Sequence, residues 1–244
     1  MTQDNKALVR QQPAALAIPD FVDPNDRRGA DNITSDDIKL PRLALAQALS
    51  PEVQRSNPKR IEGLSAGDIF SNLLGTNYKA GPVEVVVVRR ELPRAVEFYP
   101  RDSKEGKGIK DRNVPLTDER CKFASDGTPP MATIFHEYVA FDANTREPFI
   151  LSFKATSAGA AKALNTFLSL RKGPAFATTF KVSAAERTND QGPFYIFAVQ
   201  PGKPVDKDTY EFAAGLYDSL AGREVAVDEE AGEDQATSDA KVPF

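Results

Sequence analysis

The sequence contains few of the residues from which metal sites and nucleophilic active sites are built. Cys121 is its only cysteine and His136 its only histidine. One cysteine excludes an internal disulfide and a cysteine-based zinc cluster, and one histidine excludes the two-histidine zinc motif of metalloproteases. The phosphate-binding motif GxxxxGK followed by Ser or Thr is also absent. We therefore expect no cofactor and no metal, and a binding protein rather than an enzyme.

Long apolar runs are missing as well. No stretch approaches the roughly 18 consecutive apolar residues that a membrane span requires. The amino-terminal segment MTQDNKALVRQQPAALAIPD lacks the basic-then-apolar order of a secretion signal. We expect a cytoplasmic protein without a membrane partner.

Charge is unevenly distributed along the chain, whose total is −4. Between residues 224 and 244, seven acidic residues stand against Lys241, a net charge of −6 that leaves +2 for residues 1–223. A weakly basic body therefore carries an acidic tail.

Composition divides the chain into three regions. Residues 1–35 are polar, contain several prolines and show no sustained hydrophobic period, so we interpret them as a flexible arm. Residues 36–222 are predicted to form one domain, at the start of which the segment SDDIKLPRLALAQALSPEV fits either a short helix or an extended segment. Residues 223–244 are predicted to be a disordered tail.

Hydrophobic periodicity predicts five strands and two helices from Gly81 onward. The order is three strands, a helix and two strands, followed by a last helix with Asp208 and Glu211 spaced like a capping box. The first helix has Ser157 as its expected N-cap. The first strand is 82–90, and residues 95–100 continue it after a kink. The other strands are 132–141, 149–155, 175–183 and 193–199. The helices are 156–174 and 208–222.

This element order is that of the oligonucleotide-binding (OB) barrel, whose helix lies between the third and fourth strands. We therefore predict a mostly β (α+β) fold with a five-stranded OB-type barrel and a C-terminal helix. Five strands and a helix also fit an α+β sandwich, which remains the alternative.

Basic and aromatic residues concentrate where an OB barrel binds its ligand. The stretch from Arg89 to Arg112 has eight basic residues against five acidic ones, and it would form the end of the first strand and the loop after it. Aromatic rings that stack with bases and cations that follow phosphates are typical of single-stranded nucleic-acid binding. The candidate DNA-binding residues are Arg89, Arg90, Phe98, Tyr99, Arg101, Lys104, Lys107, Lys110, Arg112, Tyr138, Lys154, Lys181, Arg187 and Tyr195.

The acidic tail ends in Pro243-Phe244, which resembles the carboxy-terminal tip of bacterial and phage single-stranded-DNA-binding (SSB) proteins. The resemblance implies that the tail, with Glu233, Asp234 and Asp239, recruits replication and recombination proteins. The tail differs from that family at Lys241 and Val242, and the chain has no tryptophan. We therefore expect a phage-type or divergent member that coats single-stranded DNA in the host cytoplasm, and a homo-oligomer is possible.

Three other functions remain open. A structural or assembly protein would not bind DNA. A strand-annealing recombinase would speed the pairing of complementary strands. A metal-dependent nuclease would use carboxylates along the second and third strands, namely Glu137, Asp142 and Glu147.

Overall fold

The computed structural model describes residues 39–100, 103–189 and 192–220, together with Phe21, Asp23, Arg28 and Gly29. The predicted arm, apart from those four residues, and the predicted acidic tail lie outside the described residues. Within them the chain forms one sheet of nine strands and two α-helices, and no helix is long and apolar enough to cross a membrane.

The strands and helices follow one another in the order below. The sheet contains β1 (Arg42–Leu45), β2 (Ile69–Ser71), β3 (Val83–Arg90), β4 (Arg94–Phe98), β5 (Ile109–Val114), β6 (Ala132–Asp142), β7 (Pro148–Lys154), β8 (Thr178–Asn189) and β9 (Gly192–Pro204). Helix α1 (Ala158–Leu170) lies between β7 and β8, and helix α2 (Lys207–Ser219) follows β9.

The sheet is open and curled, and its strands pair in the order β2-β1-β7-β6-β3-β8-β9. All of these pairs are antiparallel except the parallel pair of β1 with β7. β4 continues along β6 beyond the end of β3, and β5 pairs with β4. The prediction that the first strand continues after a kink is therefore confirmed, because β3 and β4 both pair with β6.

The centre of the sheet is buried on both faces, which explains the run of four valines in β3. On the face that we call inner, α1 covers Val85, Tyr138 and Leu151. On the opposite, outer face, α2 and Phe176 cover Val86 and other core side chains. Each fully buried aliphatic or aromatic side chain contributes about 1.5–3 kcal/mol, so the two clusters hold the helices to the sheet.

This double coverage corrects one expectation. In the third predicted strand, 149–155, which corresponds to β7, the alternation of side chains predicts that Ile150, Ser152 and Lys154 face solvent. Ile150 is fully buried under the α2 cluster and Ser152 is also buried, so only Lys154 has appreciable exposure. A helix that follows the last strand supplies the cover, and strand periodicity alone does not reveal it.

The structure has nine strands where the sequence predicted five. The additional ones are β1, β2 and β5, together with β4 as a strand separate from β3. The predicted loop between residues 101 and 131 contains β5, so Lys110 and Arg112 lie on a strand. The turn-rich segment before β9 is also mostly strand, because β8 and β9 pair from Thr178 to Asn189.

Both predicted helices are present; the N-cap residue of α1 is the predicted one, whereas that of α2 differs from the prediction. Helix α2 begins one residue before Asp208, and Asp206 is its N-cap, with the side chain accepting a hydrogen bond from Thr209 N at 2.7 Å. Ser157 occupies the N-cap position of α1 as predicted, but its side chain makes no capping hydrogen bond. The Ser157 hydroxyl instead accepts a hydrogen bond from Phe197 N at 3.2 Å.

The two sides of the curled sheet are joined by side chains. The Gln47 amide donates to Tyr195 O at 2.8 Å and accepts from Tyr195 N at 3.0 Å. The Ser157 hydroxyl accepts a hydrogen bond from the backbone amide of Phe197, two residues further along β9. Among the described residues no backbone ladder joins β7 to β9, so these contacts connect β9 to the β1–β7 side.

Candidate nucleic-acid interface

The outer face of the sheet carries a basic and aromatic cluster centred on Phe135 of β6. The Arg94 guanidinium lies 4.7 Å and the Lys154 ammonium 5.2 Å from the centroid of the Phe135 ring. The ring of Phe98 is 6.3 Å away and tilted by 53°. Both cations are within cation–π distance of Phe135, which is only 1% exposed. We call these four residues the Phe135 cluster.

The pairing of strands explains why the side chains of the Phe135 cluster lie together. Arg94 on β4 and Lys154 on β7 lie directly opposite Phe135 on either side of β6. Side chains opposite one another on adjacent strands share a face of the sheet. The three residues therefore form a row across three strands.

A buried ion cluster lies one step further along β6. Glu137 accepts from Arg42 at 3.1 Å, from Arg94 at 2.9 Å and from the Ser152 hydroxyl at 3.3 Å. The side chains of Glu137 and Arg42 are 3% and 7% exposed. This carboxylate fixes Arg94 beside Phe135. Arg42 and Arg94 pair with this carboxylate and Lys154 lies beside Phe135 on the same face, so the three cations outnumber Glu137 there.

The β4–β5 hairpin projects next to the Phe135 cluster and is held by a second ion cluster. Glu97 accepts from Lys110 and from Arg120, each at 2.7 Å. Arg120 also contacts Asp111 at 3.0 Å and Asp118 at 2.9 Å. The hydrogen bonds from Lys110 and Arg120 lower the pKa of Glu97, so the carboxylate is ionised near neutral pH.

Several predicted residues lie on this hairpin. The ring of Tyr99 packs against Gly106, where an added Cβ would lie 2.8 Å from the ring, and Tyr99 is half-buried. Lys104, Lys107 and Arg112 are exposed. Lys110 is tied to Glu97. Arg101 lies outside the described residues.

A small cleft of about 60 Å³ adjoins the Phe135 cluster between β1, the end of β7 and β9. Lys154 and Tyr195, both predicted, line it together with Arg42, Gln47 and Ser152. The Tyr195 ring lies over Gly67, whose φ is +88° and where an added Cβ would come within 2.7 Å of the ring. Its hydroxyl donates to Glu186 at 3.3 Å, and the negative charge of that carboxylate raises the pKa of Tyr195.

Two predicted residues are engaged in the fold instead. Tyr138 is fully buried, and its hydroxyl donates to Asn165 at 2.7 Å, so its ring is not accessible for base stacking. This corrects the prediction that Tyr138 stacks with a base. Arg89 binds Glu91 at 2.7 Å and donates to the Leu220 carbonyl oxygen at the end of α2.

The other predicted cations are dispersed. Lys181 and Arg187 are exposed on β8, which β3 separates from β6. Arg90, also exposed, lies opposite Tyr138 at the end of β3. Of the fourteen predicted residues, the structure therefore brings Phe98 and Lys154 together at Phe135 and places Tyr195 in the adjoining cleft.

Sequence reasoning missed Arg42 and Phe135, and it counted Arg94 in the basic stretch without selecting it. Phe135 lies within the predicted second strand, 132–141, and was not among the candidate residues. The missing information was register, since a hairpin alignment of the second and third strands pairs Phe135 with Lys154. Arg42 lies on β1, which was not predicted as a strand.

Two motifs associated with catalysis can be compared with the described part of the chain. Gly63-Leu64-Ser65-Ala66-Gly67 matches the GxSxG motif of hydrolases, but it forms a turn before the short strand β2 and no helix follows it there. The described residues contain no group of three or more His, Cys, Asp or Glu side chains placed to hold a metal.

Fold and site define a mostly β protein with one basic, partly aromatic sheet face. The family model of the Pam3 phage gp34-like proteins matches residues 10–226, and the chain belongs to this phage protein family. No curated protein and no solved structure matches the chain significantly. The expectation of a phage protein is thereby confirmed, and the resemblance to SSB proteins stays a prediction.

Proposed function

We propose that this phage protein binds single-stranded DNA without catalysis, on the outer face formed by β4, β6 and β7. The observation that carries the proposal is the row of Arg94, Phe135 and Lys154 across these strands, with Phe98 beside it. Cations follow the phosphates of a single strand, and half-buried rings such as Phe98 offer a face on which a base stacks.

An OB-type assignment supports the same surface. The ligand face of an OB fold is formed by its second and third strands and is flanked by the loop between strands one and two. β6 and β7 correspond to those strands here, and the β4–β5 hairpin with Lys104, Lys107 and Arg112 corresponds to that loop. The pairing order β7-β6-β3-β8-β9 is consistent with this assignment.

The acidic tail completes the proposal. Its terminal ring and carboxylate fit a basic apolar pocket on a replication or recombination protein, and the upstream acids steer the encounter. Deletion of residues 242–244 is expected to leave DNA binding intact or stronger and to abolish recruitment of such partners. Capture of the same partners by the truncated chain would contradict this part.

The test is fluorescence anisotropy of labelled oligo-dT with the full chain at two salt concentrations, with a duplex of equal length as the control. Lys154→Gln should weaken binding about 3- to 10-fold and reduce the salt slope by about 0.7, the value for one phosphate contact to a single strand. Phe98→Leu should weaken it about fivefold through lost stacking. Lys172→Gln, an exposed lysine that follows α1, is the matched control and should change neither quantity.

The alternatives give different results in the same assay. An assembly protein without DNA binding would leave the anisotropy unchanged at low salt. A nuclease would shorten the oligonucleotide when magnesium or manganese is added. A strand-annealing protein would bind and also speed the pairing of two complementary oligonucleotides, which requires a separate measurement.

A further inference from the structure

A second polar cluster lies on the inner face, where β3 ends and Tyr138 of β6 contacts Asn165 of α1. Arg90 is opposite Tyr138 in the β3–β6 register, and His136 is two residues before Tyr138 on the same side of β6. Lys162 and Asn165 are one turn apart on α1, and Asn165 accepts the hydrogen bond of the Tyr138 hydroxyl at 2.7 Å. We call this group the His136 cluster.

The cluster is positively charged at its rim. Arg90 and Lys162 are exposed, and both act electrostatically on His136. Burial raises the pKa of Tyr138 and the charge of Arg90 opposes this rise, which is consistent with the position of Arg90 opposite Tyr138. The acidic residue that directly follows Arg90, Glu91, is already bound to Arg89 at 2.7 Å.

His136 brings an unused polar atom into this environment. Its Nδ1 is buried and has no hydrogen-bond partner among the described residues. Burial first, and then the charges of Arg90 and Lys162, lower the pKa of the imidazole. A buried nitrogen without a partner is unfavourable, and native proteins rarely retain one without a ligand, water or ion to satisfy it.

We propose that Arg90, His136 and Lys162 bind a phosphate group. Two cations neutralise its charge, and the imidazole supplies a hydrogen-bond donor once it is protonated beside the anion. The group is either a backbone phosphodiester of a bound single strand, in which case the inference rests on the proposed function, or a free phosphate monoester. Because the cluster lies on the inner face, it is separate from the Phe135 cluster.

The only histidine of the chain reports on this site directly. The imidazole Cε1 proton of the full chain is followed by NMR against pH in chloride, in inorganic phosphate at equal ionic strength, and with oligo-dT. A bound phosphate favours the imidazolium, so the pKa of His136 should rise by about 0.5 or more. Lys162→Gln should raise the pKa in chloride, by removing a like charge, and should weaken the response to inorganic phosphate at least about threefold. Lys172→Gln should leave both unchanged.

The outcomes separate this inference from the proposed function. A rise with oligo-dT, with or without one in inorganic phosphate, assigns the cluster to a bound strand. A rise with inorganic phosphate alone supports the site with a phosphate monoester as its ligand. If oligo-dT binds by anisotropy while neither addition moves the pKa of His136, the phosphate site is wrong and the DNA-binding proposal stands.

Discussion

At the residue scale, Glu137 is the buried charge on which the candidate interface depends. Replacing it with Gln preserves shape but removes the negative charge beside Arg42 and Arg94. Loss of one partner of a buried ion pair typically costs 3–5 kcal/mol, so we expect Glu137→Gln to lower the free energy of unfolding by about 3 kcal/mol in urea titrations. Glu211→Gln, at an exposed pair with Lys207, should cost less than about 0.5 kcal/mol. Equal costs for the two variants would contradict the burial argument.

Because of His136, we expect the free energy of unfolding to depend on pH in a range where few other side chains titrate. Burial lowers the pKa of His136 in the folded protein below its usual value of 6.5, so the unfolded chain binds the proton more readily. Stability present above the unfolded pKa is therefore lost as the pH falls below about 6.5. Glu97, whose pKa is lowered from 4.5, contributes only at lower pH.

We expect the free energy of unfolding of the wild-type chain to fall between about pH 7 and about pH 5, and that of His136→Gln to change much less. Urea unfolding followed by tyrosine fluorescence at several pH values measures both. Parallel pH profiles of the two proteins would show that other groups control the dependence.

Single-residue roles were only partly predictable from the sequence. Phe98 and Lys154 were selected by composition and alternation, and both lie in the Phe135 cluster. Tyr138 was selected by the same criteria, but it faces α1, where its hydroxyl donates a hydrogen bond to Asn165. A buried tyrosine with a distant partner looks the same in sequence as an exposed one.

At the scale of elements, the start of α2 distinguishes the predicted cap from the observed one. Asp206 accepts from the amide of Thr209, whereas Asp208 lies in the first turn. Asp206→Ala should lower the free energy of unfolding by about 1 kcal/mol, and Asp206→Asn, which keeps an acceptor, by much less. Asp208→Ala loses only the interaction with the helix dipole and should cost less than about 0.5 kcal/mol. The reverse order in urea unfolding would restore the predicted capping box.

Element types were predicted well where hydrophobic periodicity was strong, as in β3, β6 and α1. β5 was missed because IKDRNV is polar and pairs only as an edge, held by the contacts of Lys110 and Arg120 with Glu97. The composition of residues 184–192 predicts a turn because these residues favour turns, yet the backbone ladder between β8 and β9 continues to Asn189. Whether such polar segments form strands depends on pairing with other strands, which their own composition does not reveal.

The join between β9 and β1 gives a second prediction at this scale. Gln47→Ala removes both hydrogen bonds to the backbone of Tyr195, which should lower the free energy of unfolding by about 1–2 kcal/mol. Amide hydrogen exchange should accelerate at Tyr195 more than at Phe197, whose amide is bound by Ser157. Unchanged exchange at Tyr195 would mean that the Gln47 contact does not hold β9 in place.

At the scale of the whole molecule, two opposite charges share one chain. The seven acidic residues of the tail stand against a body of net charge +2 that carries the basic outer face. A strand of DNA and the tail are both anionic, so they compete for the same field around the body. The sequence alone predicted this asymmetry, whereas the location of the basic face depended on strand register.

Truncation of the chain after Arg223 should therefore tighten binding of oligo-dT several-fold at low salt. The gain should shrink as salt is added, because the Debye length falls from about 30 Å at 0.01 M to about 10 Å at 0.1 M. A full-length variant with the seven tail acids replaced by Asn or Gln separates charge from length, and it should behave like the truncation. A truncated chain that binds no more tightly than the full one, or a gain that is independent of salt, would show that the tail does not compete electrostatically for the DNA surface.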